Sequence, residues 1–430
     1  MFRRIIVRWF TAVVLFLSAW SLQAQTEGTY SGFSPYSVFG PGILHQGGTA
    51  WNRGMGGVGI AARNHRFVNI MNPASVTARD SLSFMSDLGL DGRFALFTEG
   101  DKRAVNTIVN IDDFVISFPM WKHTAMMVGL TPYSDVGYNI SYTEINPYYQ
   151  KSTFTSSGNG GLYQVFAGAG VTLWNRLSLG AQFNFIFGNI NKKAQLQYTD
   201  ESFRASASGD SLQVRNYTAK LGLQYEQPLS NTSFLTVGAT YTFGTNIHGY
   251  SIHYRELGQY DRTRRENTLG SSGLKLGDEL AVGISYRKGD DFLVEVDYKR
   301  NNWAATRLDE VSGFSNVGDV IFAPSVGQSF HAGFELTPNR NDIRYFFKRC
   351  TYRAGAYFDQ SYYTVDGQHV NTIGVTVGMT LPVFRWYNGL SLGLEFGRRG
   401  LGVSQVKENY IGFNVGFNVF DIWFQKRSYE

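Results

Sequence analysis

The fold is decided by the stretch IGFNVGFNVFDIWF, residues 411–424. Large apolar residues occupy every second position as far as Val419, and Gly or Asn stands between them. Because successive side chains of a β-strand point to opposite faces, this period of two predicts a strand with one apolar and one polar face. Asp421 interrupts the alternation, and aromatic residues close the run. A strand that ends in this way is typical of the last strand of a membrane barrel.

The same alternation recurs along most of the chain. It is clearest at 177–187, 235–243 and 373–381, where Ser, Thr, Gly, Gln or Asn separates the apolar residues. Runs of about ten residues are the length of a transmembrane β-strand, and counting them gives about 14 strands. The predicted strands are 81–97, 108–119, 124–142, 161–174, 177–190, 214–228, 233–256, 276–287, 291–306, 328–338, 351–365, 369–382, 390–401 and 409–424.

Composition distinguishes a membrane barrel from a soluble β-sandwich, which also alternates. Aromatic residues make up 15% of the chain, Gly is frequent at 48 residues, and charged residues are only 17%. These values fit strands that face lipid on one side and a crowded polar lumen on the other. We therefore predict an all-β protein, an outer-membrane antiparallel β-barrel of about 14 strands over residues 80–424, followed by a periplasmic tail, 425–430.

The connections between predicted strands alternate in length. Short connections follow most even-numbered strands, and the long ones, 143–160, 191–213, 257–275 and 307–327, follow odd-numbered strands. Bacterial barrels have short periplasmic turns and long outer loops. This pattern predicts that both termini are periplasmic. Trp121, Trp174 and Trp386 fall at predicted periplasmic turns, and Trp423 near the end of the last strand, where aromatic rings favour the membrane boundary.

The first 24 residues have the features of a cleaved secretory signal peptide. A segment with Arg3, Arg4 and Arg8 precedes an apolar run of about a dozen residues and then Ala24. Removing this segment lowers the formal net charge from +5 to about +2, so the basic charge gives little support to a nucleic-acid partner. The predicted location is the outer membrane of a Gram-negative bacterium. The single Cys350 cannot form an intramolecular disulfide.

Residues 25–79 contain a match to a nucleotide-binding motif. Gly54, Gly56 and Gly59 fit the dinucleotide fingerprint G-x-G-x-x-G. That motif requires a preceding strand and a following helix, whereas the residues before Gly54 are polar and Pro73 follows soon after. No cofactor is therefore predicted. The segment is nevertheless too apolar for a solvated linker, the alternative being a disordered periplasmic arm. We predict a hatch, or plug, in the barrel lumen.

The glycine run followed by Asn-Pro-Ala resembles the N-terminal hatch of the long-chain fatty-acid transporter family of FadL/TodX type. The predicted hatch motif comprises Gly54, Gly56, Gly57, Gly59, Asn72, Pro73 and Ala74, and Ala61 and Ala62 also match the family pattern. The start of the segment departs from better-known members, which indicates a divergent relative. The resemblance implies a fourteen-stranded barrel whose hatch closes the lumen.

The resemblance also implies a function. It predicts an outer-membrane channel that takes up fatty-acid-like hydrophobic compounds by loop capture and releases them laterally past the hatch. The expected partners are outer-membrane lipid and a hydrophobic small-molecule ligand. The alternative is an accessory or cargo-shuttle barrel of a type IX-like secretion system, with envelope or secretion proteins as partners. A purely structural barrel is a third possibility.

Enzyme and metal motifs are missing from the sequence. It contains no G-x-S-x-G, Walker or H-E-x-x-H pattern, so neither catalytic nor metal-binding residues are predicted. A Ser–His pair assembled across strands stays open as an alternative. Inward charges such as Glu295, Asp297 and Lys299 are expected to pair with one another.

Overall fold

A computed structural model describes most of the chain after residue 31. The described residues are 32–79, 83–146, 150–199, 203–257, 261–268, 274–308, 316–317, 320–383, 389–403 and 406–422. The predicted signal peptide, the tail 425–430, Trp386 and Trp423 lie outside them. Within the described part of the chain, no helix has the length and apolar character needed to cross a membrane.

Antiparallel strands account for most of the structure. They are β1 (Ile43–Leu44), β2 (Ser83–Glu99), β3 (Lys102–Trp121), β4 (Thr124–Asn146), β5 (Gln150–Leu173), β6 (Leu177–Tyr198), β7 (Ser206–Pro228), β8 (Ser233–Thr242), β9 (Gly249–Leu257), β10 (Asp261–Thr268), β11 (Asp278–Lys288), β12 (Phe292–Asn302), β13 (Asn316–Val317), β14 (Val320–Pro324), β15 (Val326–Leu336), β16 (Thr351–Val365), β17 (Gln368–Pro382), β18 (Gly389–Leu401) and β19 (Lys407–Ile422). The helices are α1 (Ala50–Arg53) and α2 (Phe346–Arg349), with 3-10 turns η1 (Pro35–Val38) and η2 (Pro73–Thr77).

The strands close into a barrel of 14 wall strands. Sequential neighbours pair antiparallel, and β19 pairs with β2 from Lys407↔Thr98 to Ile422↔Ser83, which joins the last strand to the first. Three wall positions are occupied by strands in two pieces: β8 with β9, β10 with β11, and β14 with β15. Closure leaves no outer edge to the sheet, which is the condition for crossing lipid with strands. The predicted fold class is confirmed.

The alternation read from the sequence separates the two faces of the wall. On β17, Val377 is 48% exposed, whereas its neighbour Thr376 is only 4% exposed. Apolar residues therefore face outward, and the small polar residues face the lumen. This arrangement is the reverse of a soluble protein's, and it suits a wall whose outer surface meets lipid.

The strands are longer than predicted on the side of the long loops. β4 continues to Asn146 and β5 begins at Gln150, both within the predicted loop 143–160. β10 lies within the predicted loop 257–275, and the predicted strand 233–256 is broken between Thr242 and Gly249. These extensions carry Thr, Ser, Arg and Glu on both faces. Because the sequence there lacks an apolar face, its pattern does not distinguish a solvated strand from a loop.

The wall separates between β3 and β4. These strands pair only from Trp121↔Thr124 to Phe114↔Leu130, although β3 continues along β2 to Lys102 and β4 continues along β5 to Asn146. A bulge at Tyr133, between Pro132 and Ser134, accompanies the separation by bending β4. Beyond the separation, β1 takes the place of β3 at the edge of β4, with Leu44 opposite Ser134.

Residues 32–79, here called the N-terminal segment, lie inside the ring of strands. Its apolar residues Trp51, Met55 and Ile60 are at most 1% exposed. The segment approaches wall glycines on strands all round the barrel: Gly137, Gly180, Gly222, Gly238, Gly333, Gly355, Gly378 and Gly416. Contact with so many different strands of a closed ring requires that the segment occupy the interior.

Candidate functional site

Asn72, Pro73 and Ala74 form a tight cap at the start of η2. The Asn72 side chain accepts a hydrogen bond from the Ala74 amide at 3.0 Å and donates to the carbonyls of Ile60 at 2.7 Å and Leu223 at 3.2 Å. Pro73 holds the preceding residue in extended conformation, which is the backbone that an N-cap requires. One amide therefore ties the 3-10 turn to a distant part of the same segment and to the wall.

Two wall glycines make room for this cap. A Cβ on Gly180 would overlap the backbone of Pro73 and Ala74, and a Cβ on Gly222 would overlap the Asn72 side chain. Backbone atoms cannot move aside as the end of a flexible side chain can. The absence of side chains at these positions on β6 and β7 lets the cap lie directly on the sheet.

The four predicted glycines have different roles. Gly54 ends α1 and donates to the Ala50 carbonyl at 3.1 Å. Gly56 and Gly57 have φ of +74° and +75°, a left-handed conformation that favours glycine. Gly59 lies against Asn52 and Met71 with no space for a side chain. The run therefore turns the chain sharply beside β15 and β16, and its match to a nucleotide motif is incidental.

Two carboxylates of β12 bind the backbone of the N-terminal segment. Asp297 accepts from the amides of Gly59 and Ile60 at 2.8 and 3.1 Å, and Glu295 accepts from those of Ala61 and Ala62 at 2.6 and 2.9 Å. Both side chains are fully buried. Four amides of the N-terminal segment therefore bind Glu295 and Asp297, a role that the sequence did not predict.

Buried ion pairs add a second set of ties. Arg53 lies 2.9 Å from Asp91 and 2.6 Å from Asp112 on the wall. Glu335 accepts from the Trp51 indole at 2.6 Å and from the Arg353 guanidinium at 2.7 Å. In the low dielectric of a packed lumen, each charge needs such a partner to remain ionised. These contacts orient α1 relative to opposite sides of the barrel.

Sequence reasoning missed several of these residues. No local pattern marked Arg53, Glu335 or Arg353, because each stands at an inward or loop position with no motif around it. The sequence analysis also did not predict where β3 separates from β4. The sequence Pro132-Tyr133 within a strand is nevertheless a signal for a bulge there. Among the described residues, no group of three His, Cys, Asp or Glu side chains is placed to hold a metal ion.

A closed barrel of this size, with its N-terminal segment folded into the lumen, has the fold of the FadL/TodX-type outer-membrane channels. The toluene transporter TodX of Pseudomonas putida has 17% identity and a TM-score of 0.61, covering 90% of this chain and 100% of that one. The toluene transporter TbuX of Ralstonia pickettii has 14% identity and a TM-score of 0.58, covering 87% and 98%. A FadL homologue of Pseudomonas aeruginosa has 11% identity and a TM-score of 0.52, covering 87% and 98%.

The family is shown by the sequence itself. The family model described as BamG matches residues 1–430. The chain therefore belongs to the BamG family. In fold it is a divergent relative of the transporter barrels. A search of curated proteins found no match.

Proposed function

We propose that this protein is an outer-membrane channel for hydrophobic small molecules and that residues 25–79 act as its hatch. The observation that carries the proposal is the separation of β3 from β4 beside β1 of the N-terminal segment. A hydrophobic solute that reaches this point can leave sideways into lipid without crossing the polar lumen. The hatch motif Gly54, Gly56, Gly57, Gly59, Asn72, Pro73 and Ala74 keeps the axial route filled.

The proposed cycle consists of binding steps without chemistry. Aromatic pairs near the ends of the long strands, Tyr142 with Phe154 and Tyr198 with Phe203, offer apolar capture sites at ring separations of 5.2 and 5.4 Å. One ring of each pair, Tyr142 or Phe203, is exposed. Release follows through the opening in the wall. The ligand is fatty-acid-like in this proposal, and no catalytic residue is assigned. Support comes from the fold shared with hydrocarbon transporters.

A reversible lock across the opening tests this route. Leu44 and Ser134 are Cα partners of β1 and β4, so cysteines at both positions, in a Cys350→Ala background, should form a disulfide. Uptake of radiolabelled dodecanoate or toluene would be measured in cells with intact lipopolysaccharide. We expect oxidation to reduce uptake at least tenfold and reduction to restore it.

The matched control places cysteines at Ile116 and Val128, which are Cα partners where β3 and β4 are paired. This second lock joins β3 to β4 where they are already paired, does not touch the opening and should leave uptake unchanged. Full uptake by the oxidised Leu44–Ser134 variant would refute lateral release past the hatch.

The alternative function, an accessory or cargo-shuttle barrel of a type IX-like secretion system, is favoured by one surface. The connection between β15 and β16 exposes Ile343 at 96% and Phe347 at 68%, beside Arg344 and Lys348. An exposed apolar and basic surface of this kind suits a protein partner. Co-purification of a defined envelope complex that is lost in Ile343→Ser/Phe347→Ser, with uptake absent, would favour this alternative over the channel.

The proposed location is the outer membrane of a Gram-negative bacterium. Cleavage of residues 1–24 would leave a mature chain that begins at Gln25, and N-terminal sequencing of the membrane protein would test it. Both termini are periplasmic in this proposal. A protease tag at either end should be cut only after the outer membrane is permeabilised.

A further inference from the structure

An arginine-rich groove lies at the end of the barrel where β11 turns into β12. It lies between residues 63–66 of the N-terminal segment, the turn at Asp290 and the connection that follows β15, and it is open to solvent. Four guanidinium groups line it, those of Arg63, Arg66, Arg287 and Arg340. This groove is separate from the cap, the carboxylates of β12 and the wall opening.

Among the described residues, two carboxylates form ion pairs with these four cations. Asp290 is shared by Arg66 at 2.7 Å and Arg340 at 3.4 Å, and its other oxygen lies 3.6 Å from His65. Glu226 is shared by Arg287 at 3.3 Å and Arg63 at 3.8 Å. The four guanidinium groups therefore share the charge of two described carboxylates.

A third carboxylate on the groove does not change this balance. Glu335 also lines it, but this side chain is bound to the indole of Trp51 and to the guanidinium of Arg353, a fifth cation. Its charge is therefore balanced by a residue outside the groove. The four lining arginines still share the two other described carboxylates.

The cations are held away from water. The exposed fractions of the side chains are 10% for Arg63 and Arg66, 17% for Arg340 and 23% for Arg287. The Nε of Arg287 is buried with no hydrogen-bond partner among the described residues. Unbalanced buried positive charge is costly, and a bound anion relieves it. A guanidinium presents paired N–H donors in the geometry of a carboxylate or phosphate.

The groove also has an apolar side, formed by Phe292 and Leu293. We propose that it binds the oxyanion, a carboxylate or phosphate, of a small or amphipathic molecule, with Arg287 and Arg340 as the principal ligands. Phe292 and Leu293 contact the apolar part when there is one. The site is independent of transport, because it exists whether or not the wall opening releases solute.

Equilibrium binding to the full chain in a nonionic detergent tests the site. The probes are radiolabelled inorganic phosphate, dodecanoate and, as the neutral analogue, dodecanol, each corrected for uptake by empty micelles. We expect saturable binding of about one phosphate per chain, and a dodecanoate site that is lost when the groove arginines are replaced. Binding of dodecanol, which the proposed channel also accepts, should not depend on these arginines. Binding of phosphate identifies a free anion as a source, and binding of dodecanoate alone identifies an amphipathic one.

The variants are Arg287→Gln/Arg340→Gln and, in case the double change impairs folding, Arg340→Gln alone. Each should weaken anion binding at least tenfold while the barrel keeps its heat-dependent electrophoretic mobility. Arg344→Gln changes an exposed cation of the same connection outside the groove and should bind as the parent does. The proposal is overturned if neither anion binds, if the variants weaken dodecanol binding as much as dodecanoate binding, or if folded variants bind both anions like the parent.

Discussion

At the scale of the residue, the lumen is organised by polar groups whose partners lie far away in the sequence. Glu335 is 4% exposed and Arg353 is 3% exposed, and they meet beside Trp51. Both charges are almost fully buried, so each loses its main compensation if its partner is removed. Such a pair contributes less to net stability than to the uniqueness of the packing, since its desolvation offsets much of its attraction.

The substitution Arg353→Met tests this balance. It leaves Glu335 buried with only the Trp51 indole, and we expect the free energy of unfolding to fall by about 3–5 kcal/mol. Adding Glu335→Gln removes the orphaned charge and should recover a substantial part of the loss. Unfolding by urea of the refolded barrel, followed by tryptophan fluorescence, measures both. An additive double variant would mean that the two groups do not interact.

At the scale of the element, the N-terminal segment is fixed by close backbone contact with the wall. Gly180 and Gly222 admit the Asn72–Pro73 cap, while the carboxylates of β12 satisfy amides that have no strand partner. Buried amides without partners would be costly, so these contacts replace the ladder that a strand would supply. The segment is thereby held as an irregular chain inside a regular wall.

The substitution Gly180→Ala tests how tightly this contact is set. The new methyl group overlaps the backbone of Pro73 and Ala74, so the cap must shift, at a cost of about 1–3 kcal/mol. We expect protease cleavage within residues 32–79 to accelerate about tenfold or more, while the barrel still assembles. Gly47→Ala is the control, since a Cβ there meets nothing within 4 Å. Equal cleavage of the two variants would contradict the tight fit.

At the scale of the whole molecule, the distribution of residues is inverted relative to a soluble protein. Apolar side chains such as Val375 and Val377 cover the outside, and polar or charged ones fill the inside. Closure of β19 on β2 satisfies the backbone around the ring, apart from the separated part of β3 and β4. At this separation, two wall strands that are neighbours in sequence stop pairing with each other.

The substitution Val377→Arg tests the lipid-facing assignment. An arginine on the outer face in the hydrocarbon region should destabilise the barrel by about 2–4 kcal/mol, falling toward zero near the interface. Val377→Leu is the matched control and should fold like the parent. Folding into bilayers of defined thickness, read by electrophoretic mobility, measures the difference. An arginine variant as stable as the leucine variant would place Val377 outside the hydrocarbon.

The sequence by itself determined the barrel, its outward and inward faces and the presence of a packed N-terminal segment. These properties follow from local patterns, such as the alternation of Ile373, Val375 and Val377. A shift of one residue in strand pairing would turn all of these side chains to the other face, so the pattern restricts the register. Only the tertiary structure decided the lengths of the solvated strands, the partners of Glu295 and Asp297, the separation at β3 and β4, and the arginine groove. The carboxylate contacts and the arginine groove depend on residues far apart in the sequence, and the solvated strands are polar on both faces, so no local pattern carries the information. The bulge in β4 has a local signal, but the pairing of β4 with β1 in place of β3 depends on the packing of the N-terminal segment.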